Sequence, residues 1–206
     1  MTQTWLSVDV VALTEDEPVP RILLIRRAGT PHRGATTLPG GLLAARDGET
    51  VEQAARRIVR EKAGAEITSG VTVVDVVSDP SRDERGHTVS IVVAARVAAG
   101  TEGAVPVNEI PDRMPFQHSE IARAALARIG ERLLADASTT YALLGEETTF
   151  VEASALLRAC TSITDTAARA RLDRSPLYAR TERHRKPAGS GRPARIYRAP
   201  SSASRH

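Results

Sequence analysis

LPGGLLAARDGETVEQAARRIVREKAGA, residues 38–65, reads as a tight turn, a polar loop and a helix that stops on a glycine. Pro39-Gly40-Gly41 and Asp47-Gly48 are turn signals, placed where the backbone needs freedom. Thr50 with Gln53 three residues later has capping-box spacing and starts the helix. Val51, Ala54, Ala55, Ile58, Val59 and Ala63 then form an apolar stripe at helical period. Gly64 ends it in the C′ position, with Arg60 and Lys62 near the negative end of the helix dipole.

Strand, double glycine, loop and helix with Arg57 and a terminal Gly64 together resemble the Nudix box. That pattern runs Gly, five residues, Glu, seven residues, then Arg-Glu-apolar-x-Glu-Glu-x-Gly-apolar. Anchored on Glu49, the seven-residue spacing leads to Arg57. The loop from Gly41 to Glu49 is two residues longer than the pattern. The three positions that hold magnesium carboxylates in Nudix hydrolases fall on Ile58, Glu61 and Lys62. A hard dication needs several oxygen ligands, and this set offers one. Glu61 is moreover spaced to pair with Arg57 at i,i+4. The scaffold is kept and the metal chemistry is lost, so no catalytic residue, metal or magnesium cofactor is expected.

Outward from the box, Trp5–Leu13 and Arg21–Ile25 are β-branched or aliphatic runs that read as strands. Glu66–Val77 and His87–Val97 read as two more, and Ser119–Ala135 as an amphipathic helix. The fold class expected is α+β: an N-terminal Nudix-like α/β/α sandwich with a mixed sheet, followed by a small winged helix-turn-helix domain. The loop Asp79-Pro-Ser-Arg-Asp-Glu-Arg-Gly-His87 resembles a segment of the Nudix-related transcriptional regulators (NrtR) and their ADP-ribose-hydrolysing relatives. Arg82, Arg85 and His87 are spaced there to meet phosphates, or to pair with acids of the same loop. With Arg26, Arg27, Gly41, Glu61 and Lys62 they make up the expected effector site, Lys62 standing as a point charge beside a pyrophosphate. Residues 6–115 contain no Phe, Tyr or Trp, so an adenine ring there would stack on Arg or His.

Charge divides the chain. Residues 143–206 carry 12 of the 28 basic residues but only 6 of the 25 acidic ones, leaving +6 there and −3 before it. Asp136–Thr140 reads as a linker, giving parts at 1–138 (effector binding and dimerisation) and 139–200 (DNA binding), with 201–206 a disordered tail. Phe150–Cys160 and Thr164–Arg174 read as two helices joined by a short turn, a helix-turn-helix outline. Val151, Ala155, Leu156 and Cys160 face its core. Thr164, Thr166, Arg169, Arg171 and Arg174 sit on the second helix for base edges or phosphates.

Leu177–Arg180 and Ala194–Arg198 read as wing strands. The Thr181–Arg192 loop between them carries Arg183, Arg185, Lys186, Gly189, Gly191 and Arg192, with Arg195 on the second strand. The run Gly191-Arg-Pro-Ala-Arg-Ile-Tyr-Arg198 resembles the NrtR ending. That resemblance implies a homodimeric repressor of NAD-metabolism genes that binds a palindromic double-stranded operator and senses ADP-ribose or a related nucleotide. Two alternatives stay open: an active Nudix pyrophosphatase with a relocated metal site, and a DNA-binding regulator that uses its Nudix domain only to dimerise. One cysteine fits a reducing cytoplasm, MTQTWLSVDV does not read as a signal peptide, and no segment reads as spanning a membrane.

Overall fold

The computed structural model describes residues 4–14, 20–186 and 192–200. Its centre is a six-stranded mixed sheet. β1 (Trp5–Thr14) runs parallel to β7 (Thr88–Val97) along its whole length, Trp5 opposite Thr88 and Thr14 opposite Val97. β6 (Thr72–Ser78) lies antiparallel on the outer side of β7. On the other side β1 pairs with β2 (Arg21–Leu23) and β5 (Gly40–Leu42), and β2 with β8 (Ala104–Pro106).

Both faces of β1 are buried, which explains its near-continuous apolar run. Val8, Val10 and Ala12 pack with Val93, Ala95 and Val97 against Ala54, Ala55, Ile58 and Val59 of α1 (Val51–Ala63). The alternate residues Val11 and Leu13 face Ile121, Ala125 and Ile129 of α2 (His118–Arg132). α1 is started and stopped as its sequence dictates: Thr50 and Gln53 form the reciprocal capping box, and Gly64 adopts φ 62°.

Several boundaries moved, each for a local reason. Arg21–Ile25 is not one strand: Leu24 donates its N–H to the Gly103 carbonyl, and β3 (Ile25–Arg26) turns off to pair with β4 (Thr36–Thr37). Residues 66–71 stay outside β6 because Arg56 captures the Ile67 and Ser69 carbonyls at 3.0 and 2.8 Å. α2 begins one residue early and ends at Arg132 rather than Ala135. The expected linker 136–140 is instead the start of α3 (Ala137–Leu144). Asp136 caps it by accepting from the Thr139 N–H, and the Ser/Thr composition conceals that Thr139 and Thr140 are fully buried.

The C-terminal part therefore continues the same hydrophobic core. α4 (Phe150–Cys160) and α5 (Asp165–Arg174, capped by Thr164) contribute Ala153, Leu156, Leu157, Ala168 and Leu172 to it. A three-stranded sheet follows: β9 (Glu147–Thr149), which the sequence reading missed, pairs with β11 (Ala194–Arg198), and β11 with β10 (Ala179–Arg185). Arg183 and Arg185 are thus on a strand rather than in the wing loop. Gly189, Gly191 and the 201–206 tail lie outside the described residues.

Candidate functional site

Gly40 and Gly41, expected in a turn, lie instead on β5 opposite Asp9 and Val8, and form one wall of a cavity of about 350 Å³ at one end of the central sheet. A Cβ on Gly40 would fall 2.2 Å from Asp9 Oδ1, which would have to move, and one on Gly41 3.2 Å from Ile58, which would have to yield by a few tenths of an ångström. Of the expected effector residues, Arg26, Arg27, Gly41, Glu61, Lys62, Arg82 and Arg85 line this cavity. His87 does not; its Nε2 lies 3.0 Å from the Ser78 hydroxyl.

The lining residues differ in what they can offer a ligand. Arg82 is buried and already committed, donating to the Thr88 and Phe116 carbonyls and to the Ser7 hydroxyl at 3.1–3.3 Å. It braces the pocket floor. Arg85 is held by Asp83 through two hydrogen bonds of 2.9 and 2.7 Å, the self-pairing alternative for that loop. Arg27 donates to the Pro31 and Thr30 carbonyls. Lys62 donates to the Gly40 carbonyl, and burial, reinforced by Arg27, pulls its pKa below the usual lysine range.

Sequence reasoning missed the floor. Asp9 accepts from Ser90, whose hydroxyl also receives the Ser7 hydroxyl proton at 3.0 Å. His118, at the start of α2, accepts the Leu38 N–H on Nδ1 at 3.0 Å and so carries its proton on Nε2, 3.6 Å from Asp9. Burial pushes this imidazole's pKa down, with Asp9 opposing, so it is neutral at pH 7. A carboxylate interrupting an otherwise apolar buried strand (Val8-Asp9-Val10) was the available signal. The aromatic ring that residues 6–115 lack is supplied by Phe116. Its ring meets His32 edge-on at 5.2 Å, with the Arg27 and Arg85 guanidinium carbons 4.9 and 5.4 Å from its centroid.

The second group of candidate residues lies on α5 and the small sheet. Thr164 caps α5 by accepting from Ala167, while Thr166 and Arg169 are exposed. The Arg169 guanidinium stacks 3.7 Å over the Phe150 ring. Arg171 reaches the Glu131 carbonyl of α2 at 2.6 Å, and Arg174 the Ala170 carbonyl at 3.0 Å. Arg183 pairs with Glu147 at 2.6 Å and Arg185 with Glu152 at 2.7 Å; Lys186, Arg192 and Arg195 are exposed. Cys160 packs half-buried against the core, its thiol pushed up to about 12 by burial, whereas Val151, expected to face that core, is exposed.

The NUDIX domain family model matches residues 4–136. The chain belongs to the Nudix family. Over 112 residues it is 35% identical to the ADP-ribose pyrophosphatase of Methanocaldococcus jannaschii, a match covering 50% of this chain and 64% of that protein. The chain thus spans less than two thirds of that relative. Its fold matches Shewanella oneidensis NrtR solved with a 27mer DNA, at TM-score 0.70 and 23% identity, over 97% of this chain and 95% of that one. The NUDIX domain of the same protein, solved with ADP ribose, matches at TM-score 0.54 and 24% identity over 63% and 90% of the two chains.

The Nudix family implies a magnesium ion, and the side chains present do not fit one. Ile58 is wholly buried beneath Gly41, and Lys62 presents an ammonium. Glu61 sits 3.4 Å from Arg57. Glu49, the first glutamate of the box, is held by Arg57 at 2.6 and 2.9 Å and by the Ala44 N–H. Among the described residues no three His, Cys, Asp or Glu side chains converge as ligands.

Proposed function

We propose that this protein is a sequence-specific DNA-binding transcriptional regulator, a repressor of NAD-metabolism genes, whose Nudix part senses ADP-ribose or a related nucleotide without hydrolysing it. The observation that carries the reading is that the fold of the whole chain, not of the pocket half alone, is shared with an NrtR solved on DNA. The pocket supports the sensing half: Arg26, Arg27, Lys62, Arg82 and Arg85 outnumber Asp9, Glu61 and Asp83 around it, as an anionic ligand requires. Phe116 lines the pocket as a buried ring covered by the Arg27 and Arg85 guanidinium groups, which bring planar cations to the wall.

In this reading residues 1–138 bind nucleotide and dimerise, and residues 139–200 bind DNA. A homodimer on a palindromic operator follows from the small reach of one such domain, since two half-sites double the bases read. Mobility shifts on the protein's own promoter fragments, with and without ADP-ribose, test both halves. A specific shift that changes with nucleotide is expected; no specific shift on any fragment would refute it.

Identity to an ADP-ribose pyrophosphatase favours a second reading, hydrolysis of ADP-ribose-like diphosphates through Glu61 and a metal held elsewhere. A phosphatase-coupled assay of ADP-ribose cleavage separates the two. Robust magnesium-dependent turnover selects the hydrolase.

A further inference from the structure

We infer that Lys62 takes the place of the magnesium ion, so that the pocket selects the metal-free pyrophosphate of a nucleoside diphosphate ligand and discriminates against its magnesium complex. This rests on the effector reading above and adds to it which species is bound.

Lys62 occupies the last carboxylate place of the Nudix box, and its ammonium lies against Gly40 and Gly41 of β5. Lys62 is exposed as a whole, but a Cβ on Gly41 would lie 3.5 Å from Nζ, so the ammonium end rests against β5. One of its three N–H donors goes to the Gly40 carbonyl, which anchors the charge; two remain for phosphate oxygens. Arg26 and Arg27 line the same cavity, as does Arg85 in its pair with Asp83, so a phosphate there meets monovalent cations.

A magnesium ion carried in on the ligand meets the opposite situation. It must exchange water for protein oxygens, and the family's oxygen positions are here an aliphatic side chain, an ammonium and a carboxylate engaged by Arg57. It would also lie beside Lys62 with no new carboxylate to offset the repulsion. Asp9 is a single carboxylate whose Oδ2 is held by Ser90 and Arg82 and whose Oδ1 faces His118 Nε2 at 3.6 Å, too little to replace the missing ligands. Burial has moved the Lys62 pKa downward, as a charge waiting for an anion in a part-desolvated wall should show.

Calorimetry with ADP-ribose as the probe, in EDTA and in magnesium buffer, decides the matter. The wild-type chain is expected to bind at least as tightly in EDTA as with magnesium. Lys62→Met, which keeps the stem and removes the charge, should bind about tenfold to a hundredfold more weakly in EDTA, with no recovery on adding magnesium. Lys62→Glu should weaken metal-free binding further and make what remains depend on magnesium. Circular dichroism and thermal unfolding establish that both variants fold. Wild-type binding that needs or is tightened by magnesium overturns this inference and leaves the effector reading standing. Absence of binding in both buffers overturns the effector reading and this inference with it.

Discussion

Arg171 of α5 donates to the main-chain carbonyl of Glu131, one residue from the end of α2, at 2.6 Å. The same helix begins with His118 in the pocket floor. Thirteen residues of α-helix separate the two, about 20 Å of continuous rod. Ser175 adds a hydrogen bond to the Leu134 carbonyl at 2.6 Å just beyond. The pocket and the candidate DNA-reading helix are therefore attached to opposite ends of one element.

This bond changes what Arg171 should do. A side chain bonded to the protein's own backbone is poorly placed to read bases. Arg171→Ala is expected to lower stability by about 1 kcal/mol and leave the sequence preference for DNA as it was. It should also reduce the nucleotide's effect on DNA binding, because the tie between α2 and α5 is cut. Competition between operator and scrambled DNA in mobility shifts reads both; a loss of sequence preference would return Arg171 to the bases.

Gly130 makes a sharper test of the same seam. It lies inside α2, where glycine is unfavourable, and a Cβ there would come within 2.4 Å of Thr161 Cγ2 and 3.0 Å of Cys160 Cβ. The helix accepts glycine so that the end of α4 can approach. Gly130→Ala should gain helix propensity yet lose about 1–3 kcal/mol net from overpacking. Thermal or urea unfolding measures it, and a stabilised variant would show that the seam yields freely.

Glu49 governs stability in acid. Its hydrogen bonds from Arg57, helped by the Ala44 N–H, hold its pKa down from 4.5 to about 2. Above pH 4.5 the carboxylate is charged in folded and unfolded chains alike, and its full stabilisation is present. As pH falls below 4.5 the unfolded chain takes up the proton first, and the advantage fades until the folded carboxyl titrates near 2. The stability gap between wild type and Arg57→Ala should accordingly be constant above pH 4.5 and shrink below it. Urea unfolding at several pH values checks this, and a gap indifferent to pH would assign the loss to packing.

Local rules carried the reading furthest. The boundaries of α4 and β11 and the caps of α1 could be taken from the chain because neighbouring residues specify them. What stayed hidden depends on partners far away. Nothing near Asp136–Thr140 announces that its threonines are buried, and β9 exists only because β11 pairs with it. The pocket floor joins Asp9, Ser90 and His118 from three elements, a meeting no spacing rule anticipates. Phe116 reaches the pocket through a backbone of φ 60° just before α2, a conformation its own sequence does not announce.

Restoring the family's carboxylates follows from the same geometry. Ile58 is fully buried among Val8, Ala54 and Val59, so Ile58→Glu places a charge in the core. The pair Ile58→Glu and Lys62→Glu should therefore melt earlier than wild type and recover no more than traces of ADP-ribose cleavage. Full magnesium-dependent turnover without loss of stability would mean that the α1 face is more open than its packing shows.

For DNA, Arg169 is the residue expected to read sequence. It is exposed on α5, three residues past the exposed Thr166, and its guanidinium is held flat on Phe150 at 3.7 Å, which limits the freedom it must lose on binding. Its loss should cost about 1–3 kcal/mol and relax preference at the contacted position. Arg192 is exposed just before β11 and suits a phosphate. Arg192→Ala should weaken all sequences alike and reduce the salt slope by about 1. Arg183 and Arg185 belong with Arg192, after exchanging Glu147 and Glu152 for phosphates; surface pairs of this kind are worth only about 0–1 kcal/mol and do not bar the exchange. Deleting the chain from residue 140 would cut through α3 and open the shared core, so point variants give the cleaner experiment. Mobility shifts on operator and scrambled fragments across a salt series separate the two behaviours. If Arg169→Ala and Arg192→Ala both bind as wild type does, neither α5 nor the segment before β11 is the DNA surface.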